Sequence, residues 1–390
     1  MSGKYNVAGI KKDDCCGCFA CFNICPQNAV KMDADAEGFW YPQIDELQCI
    51  QCGKCKRACP GIYPLQVNED AAAFAGYSLS LEEHMSSSSG GFFSAVARKV
   101  LTENGIVFGA AFDENAEVRH IGINSFELLE KLKGTKYVQS RIGTSFTQIK
   151  RKLEEGKIVL FSGTPCQIAG LKTYLGREYE TLLCIDLICH GVPSPKVLSR
   201  YLSEQYGKNN VCAVQFRDKT RGMQQVMINY LLRDERTISE SYRESPYIKG
   251  FISNYYIRPS CYQCKFKGIE RCSDITIGDF FSVKEFHPEI DDQYGVSAIL
   301  VHTEKGKRWL SAVSDQFVLY EAKASEIAVW NECLLESVEY NPERDVFFKE
   351  WENSTVAETV LALEQKNRGK QRAKKTWKEQ IVWRIKKWLV

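Results

Sequence analysis

No stretch of the 390-residue chain approaches 18 uncharged apolar residues, and its start, MSGKYNVAGIKKDDCC, carries no hydrophobic signal region. Neither a membrane-spanning segment nor export is expected, so the chain is placed in the cytoplasm. Overall charge bias is almost absent, at +2, and no DNA motif or aromatic-rich basic fold accompanies it. No nucleic-acid partner is expected. No G-x-G-x-x-G follows an expected strand, which leaves a standard dinucleotide site without support. A hydrophobic content of 44% and a charged content of 26% exclude wholesale disorder, and the length excludes a disulfide-stapled miniprotein. What stands out is cysteine, at 17 residues. In a reducing compartment that abundance argues for metal ligation or redox chemistry.

Eight of these cysteines form a repeat. Cys15, Cys18, Cys21 and Cys25 recur 34 residues later as Cys49, Cys52, Cys55 and Cys59, and Pro26 and Pro60 follow the fourth cysteine of each copy. Three thiolates spaced by two residues wrap one face of a cubane, while the fourth, followed by Pro, points to the other cluster. The expected ligand sets are therefore crossed: Cys15, Cys18, Cys21 with Cys59, and Cys49, Cys52, Cys55 with Cys25. Four-cysteine zinc sites are the competing reading, though zinc motifs usually come as separated C-x2-C pairs. The pattern is that of a bacterial-type ferredoxin domain with two 4Fe-4S clusters, over residues 1–64. Cys16 has no place in either set and reads as a spare buried thiol. The Pro-containing segment GIYPLQVNED reads as a linker.

From residue 72 short apolar runs alternate with helical stretches. GIVFGAAF (105–112), KIVLFSG (157–163) and TLLCIDLIC (181–189) read as strands covered on both faces, separated by helices over 92–104, 145–156 and 165–176. VCAVQFRDK and VMINYLLRD read as a hairpin-like pair, and DITIGDF and VSAILVHTE as later strands. The fold class is α/β or α+β, with a mixed sheet. Thr164 caps a helix that carries Cys166 in its first turn, where the helix dipole favours a thiolate. Cys189 and His190 emerge at the C-terminal end of the adjacent strand, where open α/β sheets bind ligands. With Cys261 and Cys264 these cysteines make four thiolates, enough for a third 4Fe-4S cluster. A zinc site, a redox disulfide using Cys166, and a set containing Cys272 compete. Cys184, Cys212 and Cys333 read as core residues.

Ser88, Ser89, Gly90 and Gly91 immediately precede a helix, a place for an anion such as a pyrophosphate, although such runs are more often flexible loops or caps. Lys133, Lys136, Tyr137, Gln139 and Ser140 form a cluster of phosphate- and ring-binding types whose bland alternative is a solvated loop. Residues 366–390 hold ten Lys or Arg and one acid, so the remainder is mildly acidic. Trp377, Ile381, Ile385 and Trp388 share one helical face there. A basic amphipathic helix of this kind suits an anionic membrane surface, which would place the chain peripherally at the inner membrane; docking on its own acidic body or on a partner competes.

The ordered set CCGCFACFNICP, SSSGGFFSA, KGTKYVQS, LFSGTPCQIAGL, DLICHGVPSP and CYQCKFKGIERCSDITIGDF resembles the beta subunit of coenzyme F420 hydrogenase/dehydrogenase, in the form fused to an N-terminal ferredoxin. The resemblance covers roughly residues 1–350, divided at 72–150 and 151–350, and the tail lies outside it. It implies a flavoprotein oxidoreductase in which FAD sits beside a 4Fe-4S cluster. It further implies that Cys166, Cys189, Cys261 and Cys264 hold the body cluster, with Ser88, Ser89, Gly90, Gly91, Lys136 and Gln139 around the flavin. Relatives such as the 7-hydroxymethyl chlorophyll a reductases use ferredoxin electrons on organic substrates, so fold and cofactors carry over more safely than substrate. The expected function is electron transfer between the clusters and a hydride carrier, such as coenzyme F420, or an organic substrate at FAD. His190 is the candidate proton donor, a structural histidine being its alternative. Two other readings compete: a non-catalytic electron-transfer subunit of a larger redox complex, and a ferredoxin-dependent reductase in envelope polysaccharide synthesis. A redox partner protein or a hydride carrier is the expected partner.

Overall fold

The structure is a computed structural model that describes residues 5–68 and 71–371, with side chains described to residue 367. Most of the basic tail over 366–390 therefore lies outside the described residues. Within them, Lys366 pairs with Glu343 at 3.2 Å on the last helix, Val356–Gln371. Among the described residues no helix is long and apolar enough to cross a membrane.

The N-terminal part holds one hairpin, β1 (Val30–Ala34) and β2 (Trp40–Ile44), and the short helices Ala20–Ile24 and Lys54–Arg57. The sequence repeat is also a repeat of backbone conformation. Gly17 and Gln51, 34 residues apart, both have positive φ (65° and 55°), and so do Phe19 and Gly53 (64° and 74°). Each copy thus turns its cysteine loop with left-handed residues at the same two positions.

The body is built on one eight-stranded mixed sheet. Its strands are β3 (Ala72–Ser78), β4 (Ile106–Phe112), β5 (Val118–Ile123), β6 (Val159–Gly163), β7 (Leu182–Leu187), β11 (Ile275–Asp279), β12 (Ser297–Val301) and β13 (Phe317–Ala322), in the order β13-β3-β12-β11-β7-β6-β4-β5. Three neighbouring pairs at its centre, β4/β6, β6/β7 and β7/β11, are parallel, and the flanking pairs are antiparallel. The apolar runs expected as buried strands are these central ones, and 157–163 and 181–189 do lie side by side. A separate sheet of β8 (Val211–Asp218), β9 (Met227–Leu232) and β10 (Thr237–Ser241) is antiparallel, as the hairpin reading requires.

The two parts share a hydrophobic core. Phe19, Ala20 and Cys18 pack with Phe146, Phe161, Ile168 and Leu171, which is why the helix Pro165–Leu175 carries Gly170. A Cβ at Gly170 would stand 2.7 Å from Cys18 Cβ. Fully burying Phe146 and Phe161 contributes on the order of 1.5–3 kcal/mol each. The segment read as a linker is pinned rather than loose, because Asn68 N–H and Nδ2 both donate to Arg271 O, at 3.0 and 2.8 Å.

Candidate functional site

The structure brings cysteines of the two copies together. Cys25 joins Cys49, Cys52 and Cys55 around one small cavity. On the other side, burial pushes the Cys21 thiol well up, and the charges of Cys15, Cys59 and Cys55 push it further. Cys59 is likewise raised by burial and by Cys15. Buried thiols that oppose one another's ionisation become thiolates when a cationic centre binds them, so an all-sulfur donor set fits an iron-sulfur cluster. Among the described residues no His, Cys, Asp or Glu group converges closely enough to hold a single metal ion.

The body cysteines form a third group. Thr164 N–H donates to Gln167 Oε1 at 3.0 Å, closing a capping box that starts the helix at Pro165 and fixes Cys166 in its first turn. Cys189 follows β7, and Cys261 and Cys264 sit on and just after the 3-10 turn Pro259–Gln263. Cys166, Cys189, Cys261 and Cys264 line one cavity. Burial drives the Cys189 thiol well up; Lys267 opposes this, and Cys261, Cys166 and Cys264 add to it. Lys267 donates to Cys333 O at 2.8 Å and also to Cys189 O, tying this wall together.

One expectation changes here. The helix dipole does not leave Cys166 an activated thiolate: its contact with Cys16, then burial, raise its pKa well above the thiol range. Cys16, read as a spare thiol, lines this same cavity against Cys166. Cys272 packs elsewhere, in the core with Cys184.

A second, larger cavity of about 430 Å³ opens at the C-terminal ends of the central strands. That size falls within the range of cofactor sites. Cys189, His190, Gly191 and Val192 border both this cavity and the one lined by cysteines. Ser88, Ser89, Gly91 and Lys136 lie on its wall, with Phe93, Tyr137, Tyr242, Phe251, Phe281 and Trp330 supplying aromatic surface. Asp279, also on the wall, pairs with Arg217 through Oδ2, while its Oδ1 is buried without a partner. An unmet acceptor beside aromatic surface fits a planar ring that carries N–H groups, as a flavin does.

The Ser-Gly segment is more committed than its composition suggests. Ser88 Oγ accepts from Thr135 N–H at 2.7 Å and from its hydroxyl at 2.8 Å, and Ser89 Oγ donates to Val296 O at 3.0 Å. Glu83 folds back to the first turn of the helix Phe92–Thr102, where Ser94 donates to it and Lys133 pairs with it at 2.9 Å. Burial opposes its charge, but Ser94, Lys133 and Arg98 more than offset this and hold Glu83 below the usual carboxylate range. A protein carboxylate thus already answers that helix terminus.

Lys136 donates to Lys131 O at 3.1 Å and Lys133 O at 2.7 Å, and burial pushes its ammonium down to about 7. Gly90 and Gln139 were expected on the cofactor wall and lie off it. Gly90 packs against the backbone of Gly76, whose O would stand 2.2 Å from a Cβ at Gly90. Gln139 is buried at the junction of the two parts, donating to Cys16 O at 3.3 Å and accepting from Arg258 at 3.2 Å.

His190 is on the wall, but both ring nitrogens are engaged: Nε2 with Asn254 Oδ1 at 2.8 Å, Nδ1 with Cys333 Sγ at 3.2 Å. Burial lowers its pKa to about 4, so a neutral ring that fixes the Cys189 wall is what the geometry gives, rather than a free proton donor. Sequence reasoning passed over His120, which lines the cavity between Ser140 Oγ and Ser162 O, both at 3.0 Å, and read as core Cys333, which lines the cavity beside His190. Neither residue sits in a recognisable motif.

Comparison with known proteins agrees with these two parts. Residues 14–61 match the model of a 4Fe-4S dicluster domain, and residues 156–326 match that of the C terminus of the coenzyme F420 hydrogenase/dehydrogenase beta subunit. No curated protein matches the chain. Among solved structures it is similar to a chain of the F420-reducing NiFe hydrogenase complex from Methanosarcina barkeri, with 17% identity and a TM-score of 0.43 over 76% of this chain and 90% of that one. The chain therefore joins an iron-sulfur dicluster domain to a segment, residues 156–326, of the coenzyme F420 hydrogenase/dehydrogenase beta subunit family.

Proposed function

We propose that the chain is an iron-sulfur flavoprotein oxidoreductase that passes electrons between its clusters and a hydride carrier, such as coenzyme F420, or an organic substrate. The observation that carries this reading is the shared wall: Cys189, His190, Gly191 and Val192 separate a cavity ringed by cysteine from one of flavin size. When bound, 4Fe-4S clusters relay single electrons and FAD exchanges them for the paired electrons of hydride chemistry.

The residues would hold these groups in a fixed order. Cys25, Cys49, Cys52 and Cys55 form the outer set, with Cys52 exposed. Cys15, Cys18, Cys21 and Cys59 form the inner set, and Cys166, Cys189, Cys261 and Cys264 the body set. Ser88, Ser89, Gly91, Lys136 and Asp279 would line FAD. Lys136 brings to that wall an ammonium whose hydrogen bonds among the described residues go to carbonyl groups, where it can meet an anionic part of the cofactor.

The test offers reduced F420, NAD(P)H and reduced ferredoxin in turn to the anaerobically purified chain. One of them should bleach both flavin and cluster absorbance. In Cys261→Ala/Cys264→Ala, reduced ferredoxin should no longer reach the flavin while the N-terminal clusters persist. Unchanged ferredoxin-to-flavin transfer in that variant contradicts the reading. The tail's membrane role rests on its sequence alone, and equal co-sedimentation with anionic liposomes with and without residues 366–390 removes it.

A further inference from the structure

Among the described residues Arg258 is the largest side chain with no exposed surface, at 0%. Its fork reaches across the junction between the two parts of the chain. Nε donates to Cys15 O at 2.7 Å, Nη1 to Gln139 Oε1 at 3.2 Å, and Nη2 to Trp40 O at 3.0 Å and to Cys15 Sγ at 3.5 Å. The guanidinium lies 4.4 Å over the Tyr41 ring and 5.5 Å over that of Phe39. Gly17 is shaped to this contact, because a Cβ there would stand 2.9 Å from Arg258 Nη1.

A buried guanidinium is costly unless an anion answers it. The ionisable groups that act most on Arg258 are Cys15, Tyr41, Cys16 and Cys261, Cys166 also feels its charge, and among the described residues no carboxylate forms an ion pair with it. Tyr41 does not serve, since burial raises its hydroxyl and keeps it neutral. The remaining candidates are sulfur atoms, one of them within hydrogen-bond reach.

We propose that Arg258 is the counter-charge of the cluster held by Cys15, Cys18, Cys21 and Cys59, and that it raises the reduction potential of that inner cluster. This rests on the cluster assignment above. When the cluster gains one electron its net charge falls by one, and a fixed guanidinium donating to a ligand sulfur stabilises that more negative state. The outer set receives a weaker, neutral donor: Asn6 Nδ2 lies 3.8 Å from Cys49 Sγ. The inner cluster is thereby the better electron acceptor of the pair, which biases electrons from the exposed outer site toward the body. Arg258 is a positioning and potential-setting residue, not a catalytic one.

The test is an EPR-monitored redox titration of the full chain, purified anaerobically, as wild type, Arg258→Gln and Arg258→Lys, with iron counted in each. Arg258→Gln with full iron should lower one cluster's midpoint most and leave at least one other unmoved. Midpoints all unmoved, or all lowered equally, overturn the proposal. If Arg258→Gln loses iron, Arg258→Lys decides: retention of iron by the charged variant upholds the counter-charge, and equal loss shows that only the shape of the side chain matters. Wild-type protein without EPR-active clusters would instead refute the assignment on which the proposal stands.

Discussion

Cys15 and Cys16 are adjacent in sequence yet lie in different groups of cysteines. Cys15 Sγ accepts from Arg258 and belongs with the dicluster cysteines, while Cys16 lies against Cys166 on the wall of the body cavity. One peptide bond thus links the inner N-terminal site to the body site. The arrangement predicts that Cys16 packs at the cavity without being required to hold a cluster. Cys16→Ala should retain about twelve irons per chain, and Cys166→Ala should lose about four, since a cubane carries four. Iron analysis of both variants checks this, and loss of four irons from Cys16→Ala would make it a ligand.

Docking of the two parts depends on Gly170. Replacing a helical glycine by alanine normally stabilises by up to ~1 kcal/mol. Here the added Cβ meets Cys18 Cβ at 2.7 Å and Sγ at 2.8 Å, and overpacking of this kind costs about 1–3 kcal/mol. Gly170→Ala should therefore lower the chemical-denaturation midpoint and loosen iron retention. A more stable protein with full iron would show that the contact yields.

Asp186 on β7 is fully buried, with Arg271 4.0 Å away. Burial raises its pKa to about 6, and Arg271, Thr276 and Ser273 only partly offset this. Because the folded state holds this proton more tightly than the unfolded one, folding stability falls as pH rises from about 4 to about 6 and then levels. The loss is on the order of 3 kcal/mol. Denaturation of Asp186→Asn at pH 5 and pH 7.5 should show a flatter pH dependence than wild type. Parallel slopes would remove Asp186 as the cause.

Lys136 and Gln139 separate the cofactor wall from the domain junction. Lys136→Gln should weaken FAD binding roughly tenfold, about 1.4 kcal/mol, in a fluorescence titration of flavin-depleted protein. Gln139→Ala should leave flavin affinity unchanged and instead disturb the contact with Cys16 and Arg258. The reverse pattern would move the flavin site away from the larger cavity.

What was legible in the sequence is what is local. Three cysteines of each expected N-terminal set follow from spacing within a single loop and the crossed fourth from the Pro after it, and Cys25 does lie beside Cys49, Cys52 and Cys55. Strands β4, β6 and β7 announced themselves because both faces are covered, which makes their sequences continuously apolar. The Ala-rich β3 and the edge strands β5 and β13 carry no such signal, and the order of eight strands is a non-local property. The Ser-Gly segment looked like an open anion cradle because Glu83, several residues upstream, gives no hint that it folds back onto the helix start. Gln139 was assigned by its neighbours in a motif, but its amide is claimed by Arg258, 119 residues away. Arg258 itself has no sequence mark, since its importance lies in having no carboxylate beside it once buried.

The central claim is that a third cluster stands behind the wall of a flavin cavity. Its most direct test is the iron and flavin content of the anaerobically purified chain. The account predicts about twelve irons and one FAD per chain, falling to about eight irons with FAD retained in Cys261→Ala/Cys264→Ala. About eight irons and no flavin in the wild-type protein would contradict it, leaving a dicluster domain joined to a body whose cysteines do other work.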